Sequence, residues 1–336
     1  MRSPGKVLLE FRQGKPGFYP DQSVYAAFAC AEFGLEFHDL DGGSGLLFRV
    51  ASREKSLHFG AGRCVWYPQN NATAATLASD KHFTGRILEA AGVPVIRGEY
   101  FFLHDRHRAH RPIGHEHDDA YAYFRALGAS AFVKPLTGSR GDFAQAVHGE
   151  AALTRYLDEV ARYYDAILIQ PIVDGIEYRI FVLDDDALFC ARKHPPFVSG
   201  DGVRNLRELL AAHNDALRAR GLSPVSPEDN DSSLDAVLAK GERRDIPGRM
   251  NLSAGGTMVL EPPPSAKLVE LARAATSALG LRVAAVDLFA NVGGEVSAMT
   301  VIEVNSNPSI RLLEQSGRGD LILKIWHHTF CAMGLL

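Results

Sequence analysis

Two apolar runs near the C-terminus constrain this chain more than any other feature: Val283-Ala-Ala-Val-Asp287-Leu-Phe289 and Val301-Ile-Glu303-Val-Asn305-Ser-Asn307-Pro308. Each reads as a strand, yet each carries acids or amides where a core strand would be apolar. Strand side chains alternate between faces, so Glu303 and Asn305 share one face while Ile302 and Val304 take the other. An unpaired buried carboxylate costs several kcal/mol, a large part of the roughly 5–15 kcal/mol that holds a domain folded. A cation must therefore compensate. Oxygen ligands with no Cys or His beside them suit a hard ion such as magnesium, with manganese acceptable to the same set. Asp287, Glu303 and Asn305 are accordingly read as a nucleotide-metal site, and solvated acids on an edge strand are the plainer alternative.

At 336 residues the chain can bury a large core, enough for two or three domains sharing a cleft. A formal charge of −4 with 23% charged residues gives no bulk reason to expect a nucleic acid or an anionic membrane as partner. Cys30, Cys64, Cys190 and Cys331 lack the paired spacing of a zinc site or a disulfide framework, which points to a reduced, cytoplasmic setting. The opening MRSPGKVLLEF has too short an apolar run for a signal peptide. No segment approaches the roughly eighteen apolar residues of a membrane span.

Residues 1–78 alternate short apolar runs (Lys6 to Phe11, Gly45 to Ala51, Cys64 to Tyr67) with a helix-like stretch from Ser23 to Phe33, the pattern of a small α/β domain. Ser79-Asp80 then caps a helix from Lys81 to Ala91 that Gly92 ends. His104, His107, His110, His115 and His117 fall in a stretch with no apolar period and three arginines, which reads as a solvated loop rather than a metal site. Ala131 to Gln170 gives a strand–turn–strand–helix–strand order, and Ser265 to Gly280 an amphipathic helix. Residues 221–249 are rich in Pro, Ser, Asp and Gly and read as a long connection or substrate loop. The division is an N-terminal domain over 1–78, a lid over 79–170 and a C-terminal part over 171–336.

Lys134 ends an apolar strand, and Thr137-Gly138-Ser139-Arg140-Gly141-Asp142 follows. An ammonium beside a turn of small residues suits phosphate oxygens, although many hairpins share this composition. Glu177 and Arg179, two apart, point from one strand face; they either pair with each other or serve ribose and phosphate. Arg192 and Lys193 add cations, with Lys193 open between an ordinary surface charge and a functional one. Asn251 to Thr257 is a glycine-rich loop able to approach a ligand closely, and Arg311 follows the acidic strand as a candidate carboxylate clamp.

The joint order of these motifs, Ser79-Asp80-Lys81, Ala91-Gly-Val-Pro94, Val133-Lys134-Pro135, Glu177-Tyr-Arg179, Gly200-Asp-Gly202, Asn251-Leu-Ser-Ala-Gly-Gly-Thr257, Asp287 and Glu303-Val-Asn305, resembles the ATP-grasp superfamily over about residues 76–316. Within it, the likeness is to the ATP-grasp module of cyanophycin synthetases and bifunctional glutathione synthetases. The resemblance implies an α/β (α+β) ATP-grasp fold, with a small N-terminal α/β domain followed by two subdomains that sandwich ATP. It implies an ADP-forming ligase that joins the carboxylate of an amino acid or small peptide to an amine through an acyl phosphate, and a homodimer. By position, Lys81 and Lys134 would contact the nucleotide, Gly138, Ser139, Arg140 and Gly141 would lie in the loop over the phosphates, and Gln170 and Ile172 would run along the adenine hinge. Glu177 and Arg179 would complete the nucleotide site. Asp287, Glu303 and Asn305 would hold magnesium, while Arg192 and Asn251 would stabilise the acyl phosphate; Arg311 stays the carboxylate clamp read from its place after the acidic strand. Gln170 stands where relatives commonly carry an acid, and the loop Gly-Ser-Arg-Gly-Asp is more charged than usual. Two other readings stay open: phosphotransfer without ligation, and a non-catalytic ATP-binding module.

Overall fold

The computed structural model describes residues 3–60, 66–138, 141–219, 232–246 and 256–336. The first described element is a helix, α1 (Pro4–Arg12), which contains the short apolar run Lys6 to Phe11. Pro4 sits in the first turn, where its missing N–H leaves no bond unmade. Val7, Leu8 and Phe11 then fall at helical spacing onto one core. Helix α2 (Asp21–Phe33) follows and ends at Gly34 in the left-handed region, before an antiparallel sheet of β1 (Glu36–Asp39), β2 (Leu47–Ala51) and β3 (Ser56–Gly60). Trp66 and Tyr67 lie outside any strand.

Helix α3 (Ala72–Ser79) leads directly to α4 (Lys81–Ala90). The Asp80 carboxylate caps α4 by accepting from the amides of His82 and Phe83, both at 2.9 Å. Next comes an antiparallel sheet in the order β4 (Glu99–Phe102), β7 (Ala166–Gln170), β5 (Ser130–Pro135), β6 (Gln145–His148). Helices α5 (His117–Ala126) and α6 (Glu150–Val160) cover one face of it, where Phe124, Leu153 and Leu157 meet Phe101, Val133 and Ile169. The expected strand–turn–strand–helix–strand order is thus present as β5, β6, α6, β7.

A second antiparallel sheet forms from β8 (Ile176–Leu183), β9 (Asp186–His194), β12 (Thr257–Leu260), β13 (Val283–Ala290) and β14 (Met299–Asn305), ordered β12-β9-β8-β13-β14. Helix α8 (Ala266–Ala278), capped by Ser265, buries Leu268, Ala272 and Ala275 on Ile180, Val286 and Val304. Ala74, Ala78 and Leu88 of α3 and α4 join this same core. Strand β10 (Phe197–Ser199), helix α7 (Leu206–Ala219) and strand β11 (Arg243–Asp245) form a small satellite.

After α9 (Arg311–Gln315), α10 (Gly319–Ala332) returns to the first layer. Ile322, Ile325, Trp326 and Phe330 are fully buried beside Phe28, Phe48 and Phe59. The N-terminal unit read over 1–78 is therefore completed by the other end of the chain. A side chain on Gly5 would lie 2.7 Å from the Gly317 carbonyl, so α1 and the start of α10 approach with backbone against backbone. Among the described residues, no helix is long and apolar enough to cross a membrane.

Candidate functional site

The face of the larger sheet away from α8 carries the polar residues. Asp287 on β13 lies opposite Arg179 on β8 and opposite Glu303 on β14. Alternation puts Glu177 on the same face as Arg179, and Asn305 on the same face as Glu303. The ladder shifts register immediately after Asp287, an irregularity of the kind that re-aims side chains beside sites.

Arg179 donates to both oxygens of Asp287, Nε to Oδ1 and Nη2 to Oδ2, each at 2.7 Å. Lys193 Nζ donates to Asp287 Oδ2 at 2.9 Å and also to Glu177 Oε1. Asn305 Nδ2 donates to Glu303 Oε1 at 3.2 Å. Asp287 is 1% exposed, and burial pushes its carboxyl up, yet Arg179 and Lys193 outweigh burial and hold it below the usual range. Burial raises Glu177, with Lys193 offsetting only part of the effect. Two further lysines face these acids, Lys134 from β5 of the smaller sheet and Lys81 from the start of α4. Burial lowers Lys134 to about 8, against the pull of Glu303, and neighbouring Lys81 adds to the depression. Lys81 is also lowered by burial and donates to the carbonyls of Leu136 and Gly138 at 3.4 and 3.3 Å.

The compensation expected from a metal is thus supplied to Asp287 by protein cations. Lys81, Lys134, Arg179 and Lys193 face Glu177, Asp287 and Glu303, with Asp80 a further acid beside Lys81, so four cations meet four acids in one site. Among the described residues, no three His, Cys, Asp or Glu side chains are grouped to hold a metal. Two carboxylates and an amide remain, and that set fits magnesium, which takes one or two carboxylates and completes its shell with water and substrate phosphate.

Other residues fall differently from expectation. Arg192 lies across from Tyr178, whose ring belongs to the core under α8, so it occupies the opposite sheet face. Lys193, one residue on, is buried on the site face. Arg311 Nη1 is paired with Asp21 Oδ1 of α2 at 2.9 Å. Gln170 donates from its side-chain amide to the Ile96 carbonyl at 2.6 Å, its chain passing over Gly98, where a Cβ would collide with it. Ile172 is exposed after β7, and Gly138 has φ +130 at the start of the small-residue turn, which Gly141 re-enters. Ser139, Arg140 and Asn251 lie outside the described residues, as do residues 221–231 and 247–249 of the connection 221–249. His104, His107 and His110 are exposed, whereas His115 stacks on Tyr100 at 4.0 Å and His117 begins α5.

No family model matches the chain. In sequence it is similar to the glutathione biosynthesis bifunctional protein GshAB of Mannheimia succiniciproducens, 30% identical over 210 residues, covering 55% of this chain and 28% of the relative. It is also similar to the cyanophycin synthetase of Synechocystis sp., 27% identical over 267 residues, covering 70% of this chain and 28% of that protein. The chain therefore spans little more than a quarter of the length of these relatives. A bifunctional glutathione synthetase from Pasteurella multocida superposes with a TM-score of 0.55 at 20% identity, over 90% of this chain and 44% of that one. The architecture shared with that enzyme is the ATP-grasp fold.

Proposed function

We propose that, on this ATP-grasp fold, the chain is an ADP-forming carboxylate–amine ligase acting on an amino acid or small peptide. The observation that carries this is the meeting of Lys81 from α4 and Lys134 from β5 with Glu177, Arg179, Lys193, Asp287 and Glu303 on one face of the larger sheet. The likeness to a glutathione biosynthesis protein and a cyanophycin synthetase supports the substrate class.

Phosphoryl transfer requires mainly charge neutralisation and alignment. Lys134, Lys81 and Lys193 supply fixed cations for the phosphate oxygens in a site with little water, where each counts for more than it would in solvent. Arg179 holds Asp287 in place, and Asp287 with Glu177 holds Lys193. Glu303 and Asn305, with Asp287, would hold magnesium, which neutralises phosphate charge when bound. A substrate carboxylate oxygen attacks the γ-phosphorus and ADP leaves; the amine nitrogen then attacks the acyl carbon, losing a proton as inorganic phosphate departs.

The test is product analysis of protein with ATP, magnesium and pooled amino acids and dipeptides. ADP together with a mass equal to two substrates less water is the expected result. AMP would overturn the reading, and ADP without any amine requirement would replace ligation by simple phosphotransfer.

A further inference from the structure

The hairpin carrying the acids is closed at one end by its own connection, and its open end is held by a residue outside both strands. Asn70 is buried at 6% exposure, and its side-chain amide makes four hydrogen bonds. Its Oδ1 accepts from the Arg282 and Val283 amides at 2.8 and 2.9 Å, and its Nδ2 donates to the Val283 and Ser306 carbonyls at 2.8 and 3.0 Å. Two lone pairs and two protons are the full capacity of a carboxamide. The last rung of the β13–β14 ladder is Ala285 with Asn305. Beyond it, Asn70 binds the N–H and C=O of Val283 as a cross-strand residue would, and holds the backbone of Ser306, the residue after Asn305.

The same short segment grips the next two residues. The Trp66 amide donates to Asn307 Oδ1 at 3.0 Å, and the Tyr67 hydroxyl donates to the Pro308 carbonyl at 3.4 Å. Three consecutive residues after Asn305 are thereby fixed to residues 66–70, and Asn70 alone ties that segment to β13 as well.

We infer that Asn70 is a positioning residue, which sets Glu303 and Asn305 against Asp287 by clamping the open end of their hairpin. The inference rests on the reading of these three residues as the magnesium-nucleotide site. Ligand-orienting partners of this kind typically change metal affinity by roughly 10–100-fold when removed. Asn70→Asp keeps the shape and both acceptor bonds but turns an oxygen toward the carbonyls of Val283 and Ser306.

The experiment is calorimetric titration of ATP into wild type and N70D, with magnesium and with EDTA, alongside thermal melts. The expected result is a loss of ATP affinity of about ten-fold in magnesium, with EDTA affinity unchanged. Equal loss in both conditions, or none, would overturn the inference. Should N70D fail to fold, Tyr67→Phe removes the hydroxyl contact to Pro308 together with the bond that hydroxyl accepts from Gln22 at 3.0 Å; the expected result is then a smaller loss of ATP affinity confined to magnesium, and a loss equal in magnesium and EDTA, or none, would overturn the inference. Wild-type protein whose ATP affinity ignores magnesium would instead overturn the functional reading, and this inference with it.

Discussion

Arg179 and Asp287, 108 residues apart in sequence, face each other across β8 and β13 and join through two parallel 2.7 Å bonds. Asp287 is fully buried, so its charge is tolerated only because Arg179 and Lys193 surround it. Glu303, its neighbour on the other side, is bonded by the amide of Asn305.

These different surroundings predict different consequences of mutation. Asp287→Asn leaves buried Arg179 without its bonded carboxylate and Lys193 with Glu177 alone, and should destabilise the fold by about 3–5 kcal/mol, read from urea unfolding. Glu303→Gln should leave stability within about 1 kcal/mol while abolishing magnesium-dependent ATP binding. Equal destabilisation by both would contradict this division.

Lys134 is lowered to about 8 by burial. Below that value it is a cation able to hold phosphate, and as pH rises through it the charge is lost. ATP affinity should therefore fall above pH 8, and binding near that pH should take up a proton, measurable by calorimetry in buffers of different ionisation enthalpy. Lys134→Arg, whose guanidinium stays charged, should remove both effects.

Lys193 and Arg192 occupy opposite faces of β9. Lys193→Ala should slow ADP formation by on the order of 10²-fold, the cost of one lost donor to transition-state charge. Arg192→Ala should change it by no more than a few-fold. Steady-state kinetics on the two variants would show the reverse order if the assignment to Arg192 were right.

Trp326 of α10 is fully buried against Phe59 and Phe330. Trp326→Ala should cost about 3–5 kcal/mol. Because α10 completes the N-terminal layer, hydrogen exchange should rise first in α1, α2 and β2 rather than in the sheet that bears Asp287.

The local features of the site were legible in the sequence. Glu303 and Asn305 two apart, the Asp80 cap, and the order β5, β6, α6, β7 all follow from strand and helix periodicity. The errors lie where periodicity gives no answer. A register shift between Phe181 and Val182 in the β8–β9 ladder lies between the two site strands, so counting from Arg179 does not tell whether Arg192 or Lys193 faces Asp287. The pairing of Arg179 with Asp287 depends on which strands become neighbours, which no local pattern encodes. Lys6 to Phe11 has the length of a strand, yet Pro4 in the first turn and the spacing of Val7, Leu8 and Phe11 suit the helix that packs on α2 and α10. Arg311 follows the acidic strand in sequence, yet Asp21 draws it to the N-terminal layer.

The most direct test of the account is isotope transfer. With the substrate from product analysis labelled with oxygen-18 in its carboxylate, one labelled atom should appear in inorganic phosphate for each amide formed, because that oxygen bridges carbon and phosphorus before the amine attacks. Unlabelled phosphate accompanying amide formation would contradict an acyl phosphate, and with it the role assigned to the cations around Asp287 and Glu303.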